Sequence, residues 1–412
     1  MSSERLAKDI VIIGGGIIGC TAAYYLATHP RFAGSSASIT LIEASKYGAA
    51  QGASGKAGGL VAKWAYPKEI VNVSFSEHLR LANEHGGAER WGWRFVNCGS
   101  WEGRGEPFDQ PGTTVGAGGK RKSLEKTLGL DADTTHTHTG HPDDLNWIKP
   151  SLTESYSPMA PAGATAQVHP YLFTTSMLEL AKERGVKYVS GKVSAIIIDK
   201  TGLPHVTGVT YTPSDSSVAE QNTLSATHVI LAAGAWSPTI LPTLPISGTR
   251  AHSITILPQS GTTIAPYVLF TEIALPAGVA SHGPRRASPE IYARPTNEVY
   301  CCGTGDEPPL PETVDDVAVD PAACEAIREH VMSISPELRA GTVEKRQACI
   351  LPVVSTGGGP IVGAADGIAE GLIIATGHTC WVRTCLYSVS LLVLLFPSTR
   401  GPRAFNCFYL VF

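Results

Sequence analysis

The stretch Asp9-Ile-Val-Ile-Ile13, followed at once by Gly14-Gly-Gly16-Ile-Ile-Gly19, constrains the fold more than any other part of the chain. Four β-branched aliphatics in a row read as a buried parallel strand. The glycines fit G-x-G-x-x-G, and Cys20–Thr28 after them has helical character, broken by Pro30. Ser38-Ile-Thr-Leu-Ile-Glu43 reads as a second strand, ending on an acid 24 residues after Gly19. Gly14 permits the tight turn, Gly16 lets the backbone approach a pyrophosphate, and Gly19 lets helix and strand pack closely. The helix start at Ile17 and Ile18 turns N–H groups and a positive dipole end toward the phosphates. Glu43, with Ala44 beside it, is placed to accept hydrogen bonds from ribose hydroxyls. The order of strand, glycine turn, helix, strand and acid predicts a dinucleotide-binding unit.

Three later stretches extend this reading. Gly48–Leu60 is a glycine- and serine-rich loop, poor as core but suited to a backbone wrapped around a ligand. Thr227-His-Val-Ile-Leu-Ala-Ala-Gly-Ala-Trp-Ser237 is a late buried strand ending in small residues. Gly371-Leu-Ile-Ile-Ala-Thr-Gly-His-Thr379 is another, ending in a glycine turn. Such strand ends can meet at one carboxyl edge of a doubly wound sheet.

With these motifs in order, the chain resembles the FAD-dependent oxidoreductases of the D-amino-acid oxidase, glycine oxidase and sarcosine oxidase superfamily, and its fungal members most. The resemblance rests on Gly14–Gly19 with Glu43, Gly52-Ala-Ser54 with Gly58-Gly59, Val168-His-Pro170, Ala232-Ala-Gly-Ala-Trp-Ser237 and Gly377-His378-Thr379, from about residue 8 to Trp381. It implies an α/β chain, α+β overall: a Rossmann-like FAD-binding domain interleaved with a mainly antiparallel β-sheet substrate domain. The FAD domain is expected at 8–66, 167–240 and 345–381, and the substrate domain at 67–166 and 241–344. The resemblance places Ser54, Gly58, Gly59, Leu60, Ala233, Gly234 and Trp236 near FAD. It sets the main chain near Val193 against adenine, and backbone N–H groups of Gly377, His378 and Thr379 against the flavin pyrimidine. Cys349 stands where sarcosine-oxidase-like members carry a flavin-tethering cysteine.

The implied reaction is oxidation of the C–N bond of an amino acid or secondary amine, with molecular oxygen as acceptor. A carboxylate-bearing substrate calls for an arginine, whose guanidinium can clamp it bidentately. Arg294 is the first candidate by family position; Arg250, His252 and Tyr292 are further candidates for the cavity, and Trp64 and Tyr66 for covering the flavin. Glycine-oxidase-like members carry an arginine beside the proline that is Pro352 here, where this chain has Leu351, so their substrate preference does not transfer. The alternative from another class is a flavin-binding protein without turnover, serving endosomal trafficking. A third reading is an inactive truncated isoform.

Local patterning also predicts helices over Glu69–His85, Tyr171–Arg184 and Pro321–Met332. Strands are predicted over Val186–Asp199, His205–Thr212, Arg250–Leu257, Glu290–Arg294 and Glu298–Cys302. Gly103–Asp144 reads as a polar surface excursion; its His136, His138 and His141 read as solvated, and no metal site is expected.

Charge gives no support for nucleic-acid binding: Lys and Arg total 32 against 36 Asp and Glu, a net −4. The nine cysteines form no CxxC pair, which points to reduced thiols and a cytoplasmic setting, with endosomal association as the alternative. No signal peptide is expected before Asp9, because Lys8-Asp9 leads straight into the first strand. The last 31 residues, Val382–Phe412, differ from the rest: three arginines, no acid, and 19 hydrophobic residues. Their apolar centre Leu386–Phe396 is 11 residues, shorter than the roughly 20 a membrane helix needs. Val382-Arg383 can be encoded by a splice-donor-like sequence, so a translated retained intron, a gene-model error or a truncated isoform is the expectation for this tail, with a hydrophobic anchor as the alternative; transcript reads across the Trp381 codon decide it.

Overall fold

The computed structural model describes residues 8–380, apart from 31, 33–36, 67, 109–139, 215–219 and 277–285. The Val382–Phe412 tail, His136 and His138 lie outside the described residues.

One eight-stranded sheet runs Asn222–Ser225, His205–Pro213, Lys187–Asp199, Ser38–Glu43, Asp9–Ile13, His228–Leu231, Leu372–Thr376, Ile361–Ala364. Its five central strands, from Lys187–Asp199 to Leu372–Thr376, are parallel. The outer strands add on antiparallel. The chain begins in the middle, moves outward to Ser38–Glu43, and later returns to the other side at His228–Leu231. That reversal leaves a crevice beyond the carboxyl ends of Asp9–Ile13 and His228–Leu231.

The first helix, Ile17–Thr28, is buried from Ile17 through Leu26 and carries no charged residue. It packs against the helix Pro170–Lys182, so it has no solvent face to make amphipathic. The helix Pro170–Lys182 starts with Pro170 at its first position, after His169 as cap. It ends just before Gly185, whose φ of +91° suits glycine. The two helices share one core with Ile10, Ile12, Leu41 and Ile230 of the sheet.

A second sheet runs Thr342–Val354, Ile246–Leu257, Val299–Asp306, Glu290–Ala293, Tyr267–Ala274, Asn97–Arg104, Thr153–Pro158, with Arg286–Ala287 pairing off Tyr267–Ala274. Its pairs are antiparallel except Tyr267–Ala274 with Asn97–Arg104, which is parallel. The helix Pro321–Met332 covers it, packing Cys324, Ile327 and Val331 on Ile254, Ile256 and Cys301. The small sheet Leu60–Ala62, Thr165–Gln167, Arg94–Phe95 stands apart from both. Thr342–Val354 pairs along its whole length with Ile246–Leu257, so the boundary expected at 345 falls inside a strand of the second sheet. The strand reads polar over Glu344–Gln347 and apolar over Ala348–Val354, and such a pattern does not say which sheet a strand will join.

Candidate active site

The crevice at the strand-order reversal is a cleft holding about 1060 Å³, its open mouth included. Gly14, Gly16, Ile18, Glu43, Ala44, Ser54, Val193, Ala233, Gly234, Trp236 and His378 line it.

The glycines act as the motif demands. Gly14 has φ +108°, and a Cβ there would stand 2.5 Å from the Ala232 carbonyl oxygen. A Cβ on Gly19 would stand 1.9 Å from the Gly14 carbonyl oxygen. Gly16 is different: its absent Cβ would meet only Ser54, at 3.1 Å from Oγ, so it keeps the helix start open to the cleft. The Ile17 N–H donates to Ser54 Oγ at 2.9 Å, which gives the first helix the side-chain cap that Gly16 cannot supply. Glu43 accepts from the Gly15 N–H on one oxygen and from the Ser45 N–H, at 2.8 Å, on the other. Burial raises its pKa, and those two N–H groups pull the other way. The carboxylate thus braces the glycine turn as well as facing the cleft.

His378 closes the other end. It is 3% exposed, and its Nε2 has no hydrogen-bond partner among the described residues. Burial pushes its pKa down to about 3, so the imidazole is neutral. The turn before it is tight: Gly377 has φ +81°, and a Cβ there would stand 2.6 Å from Val354. Thr379 also has positive φ, 51°, a costly conformation for a β-branched residue.

The other expected residues do not line the cleft. Ile17 and Gly19 lie beneath it, in the first helix. Gly58 lies so flat on Tyr292 of the second sheet that a Cβ would stand 2.7 Å from the ring; Gly59 accepts from the Val168 N–H at 2.9 Å, and Leu60 begins the small sheet. Tyr292 is buried, and its hydroxyl donates to Glu290. Arg294 is 3% exposed and is held by the buried Glu298 carboxylate, with a second bond of 2.6 Å to the Ala57 carbonyl and its plane 4.8 Å above the Tyr300 ring. Arg250 makes a two-pronged pair with Asp306, at 2.9 and 2.6 Å. His252 Nε2 accepts from the Asp320 N–H at 3.0 Å and so serves the start of the Pro321–Met332 helix. Both arginines are therefore already neutralised by carboxylates of the second sheet. Cys349 packs on Ala251, Leu351 and Ala53, with its pKa pushed up to about 11 by burial, Lys56 opposing. Trp64 donates to Thr165 at 2.9 Å, and Tyr66 is exposed. His141 bonds Thr153 and Leu145.

Sequence reading missed the segment that closes the cleft's mouth. Glu312, Thr313 and Val314 line it, and they follow a strand of the second sheet. The segment is tied down by Trp236 Nε1 to the Pro311 carbonyl (2.9 Å), Lys192 to Glu312 (2.8 Å), and Ser45 Oγ to Asp315 (2.6 Å). Thr313 and Asp316 form a capping box that is visible as a local pattern, Thr-Val-Asp-Asp. Nothing in that pattern says what the turn packs against. Ile350 and Pro352 of Thr342–Val354 form another part of the lining.

The sequence pattern described as "FAD dependent oxidoreductase" (DAO) matches residues 9–385. The chain belongs to this family. It is 32% identical to the Saccharomyces cerevisiae protein "Putative oxidoreductase TDA3", over 91% of this chain and 88% of that protein. The fold is shared with iminodiacetate oxidase from Chelativorans sp. BNC1, at TM-score 0.64 and 19% identity, covering 95% of this chain and 97% of that one. It is shared as well with glycine oxidase from Geobacillus kaustophilus, at TM-score 0.65 and 15% identity, covering 94% of each. Among the described residues, no helix is long and apolar enough to cross a membrane.

Proposed function

We propose that the cleft holds FAD and that the protein oxidises the C–N bond of a small amine or amino acid, with molecular oxygen as acceptor. The observation that carries this reading is the cleft itself. Its glycine turn, Gly14–Gly16, and a strand-end acid, Glu43, stand at one end. A buried imidazole nitrogen without a partner among the described residues, His378 Nε2, stands at the other. A buried polar atom is costly to leave unsatisfied, so a ligand with hydrogen-bonding capacity at that end fits the site.

The residues present fit the group. Gly16 and the first turn of the helix suit the pyrophosphate, Glu43 the ribose, and the backbone at Val193 the adenine. Gly377–Thr379 with His378 suit the flavin end. Bound FAD would take up the two electrons removed from the substrate, and the cofactor rather than a side chain supplies that chemistry. Two electrons and two protons leave the amine to give an imine; dioxygen takes them up as hydrogen peroxide, and water hydrolyses the imine. The chain's own contribution is to bind, orient and exclude water. Neutral His378 can present a nitrogen without adding charge. Leu351, where glycine-oxidase-like members carry arginine, argues against glycine oxidase's own substrate preference.

Purified protein tests this. Its spectrum should show bound flavin, released as FAD on denaturation. The flavin should bleach under anaerobic conditions with one of a panel of D-, L- and N-methyl amino acids and simple amines, and peroxide should form when air is admitted. Bound flavin that no amine bleaches would leave a flavin-binding protein without this turnover.

A further inference from the structure

The cations close to the cleft differ in one respect. Arg294 is paired with Glu298, Arg250 with Asp306, and Lys192 with Glu312. Lys56 is half-buried, yet no carboxylate lies within salt-bridge distance of it among the described residues. Its Nζ donates to the neutral carbonyl of Ala348, at 3.1 Å. Asp315, an acid that acts on it from farther off, is engaged by Ser45 Oγ and the Lys46 N–H. Cys349 beside it is a thiol held protonated by burial and offers no negative charge. Burial lowers the lysine's own pKa, as it does for an ammonium that has lost water without gaining an anion.

The position of Lys56 is fixed from both sides. Two residues earlier, Ser54 lines the cleft and caps the first helix. Two residues later, Gly58 lies on Tyr292 of the second sheet. Tyr300 donates to the Lys56 carbonyl at 3.0 Å, and Arg294 to that of Ala57. The guanidinium of Arg294 therefore anchors the loop that carries Lys56. Around the Lys56 side chain, Ala53, Ala251, Cys349 and Leu351 form an apolar patch. A single half-buried ammonium at the edge of an apolar patch, at the seam between cleft and second sheet, suits a small organic anion.

We propose that Lys56, rather than an arginine of the second sheet, supplies the positive charge that binds the carboxylate of an amino-acid-type substrate. This deepens the oxidase reading and rests on it. Arg294 then acts as a positioning residue, through Ala57.

The test uses the FAD-loaded protein and its Lys56→Met and Lys56→Arg variants. Propionate, a carboxylate with no amine to oxidise, is titrated against propionamide, its neutral counterpart, and binding is read from the change in flavin absorbance. Wild type should bind propionate better than propionamide. Lys56→Met should weaken propionate at least tenfold and leave propionamide and the FAD dissociation constant unchanged, and Lys56→Arg should recover part of the loss. Equal propionate affinity in wild type and Lys56→Met overturns the proposal, as does a wild type that does not bind propionate. A Lys56→Met protein that loses FAD also overturns it, because the charge then serves the cofactor. Failure of the oxidase reading shows separately, as flavin that no amine reduces, whatever propionate does.

Discussion

At the scale of single residues, the pair Arg294–Glu298 decides more about stability than about binding. Both side chains are almost fully buried, at 3% and 5% exposure. A buried pair is only as good as its completeness: removing one partner strands a charge and costs about 3–5 kcal/mol, while replacing both with apolar groups of similar volume is often neutral. Glu298→Ala should therefore destabilise by about 3–5 kcal/mol, and the double variant Arg294→Met with Glu298→Leu by clearly less, as read in urea denaturation. A double variant as unstable as the single one would refute this. The pH dependence has a definite sign. Burial by itself would raise the Glu298 pKa, but Arg294 and then Lys345 hold it below the ordinary value. With a depressed folded pKa, the stabilisation is complete above the unfolded value of about 4.3 and is lost as pH falls through the lower folded value. The Tm gap between wild type and Glu298→Gln should narrow on acidification from pH 6 toward pH 3; a widening gap would contradict the sign.

At the scale of elements, the segment around Glu312–Asp316 is the part of the site with the least local support. It follows the strand Val299–Asp306 and holds the cleft's mouth through hydrogen bonds to Trp236, Lys192, Ser45 and the Lys46 backbone. Asp315→Ala removes two of these bonds at once. At about 1–3 kcal/mol for hydrogen bonds lost from a partly buried carboxylate, FAD release should quicken about tenfold. Stopped-flow release into an excess of apo-acceptor protein measures it, and an unchanged rate would show that the segment does not retain the cofactor. The first helix shows the opposite case. Its start is fixed by Gly14, Gly16 and Gly19 and by a cap from Ser54, and both the turn and the helix can be read from fifteen consecutive letters, Gly14–Thr28.

At the scale of the whole molecule, the cleft is walled by both large sheets: Asp9–Ile13, Ser38–Glu43 and His228–Leu231 end in it from the first, and Ile350 and Pro352 reach it from the second. A ligand that fills it couples the two. Added FAD at 100 times its dissociation constant should stabilise the folded state by about 2.7 kcal/mol. Calorimetry of apo and FAD-loaded protein should show one transition shifted to higher temperature, and an unshifted apo-like transition would argue against binding in this cleft.

The sequence by itself determined the glycine turn and the strand ends that line the cleft. Gly14, Gly16, Gly19, Glu43, Ser54, Gly234 and Gly377 act through backbone geometry and short-range contacts, and such demands leave a mark in consecutive residues. The two-sheet architecture was legible only through the family resemblance those motifs carry, since strand period does not say which sheet a strand joins. Tertiary structure alone decided the charges. Arg294 and Arg250 look available in the sequence because Glu298 and Asp306 carry no mark of being their partners, and Lys56 looks like an ordinary loop lysine. Whether a cation is already satisfied depends on which carboxylate the fold brings within about 4 Å, and that pairing is set by strand register and sheet membership, which periodicity leaves open.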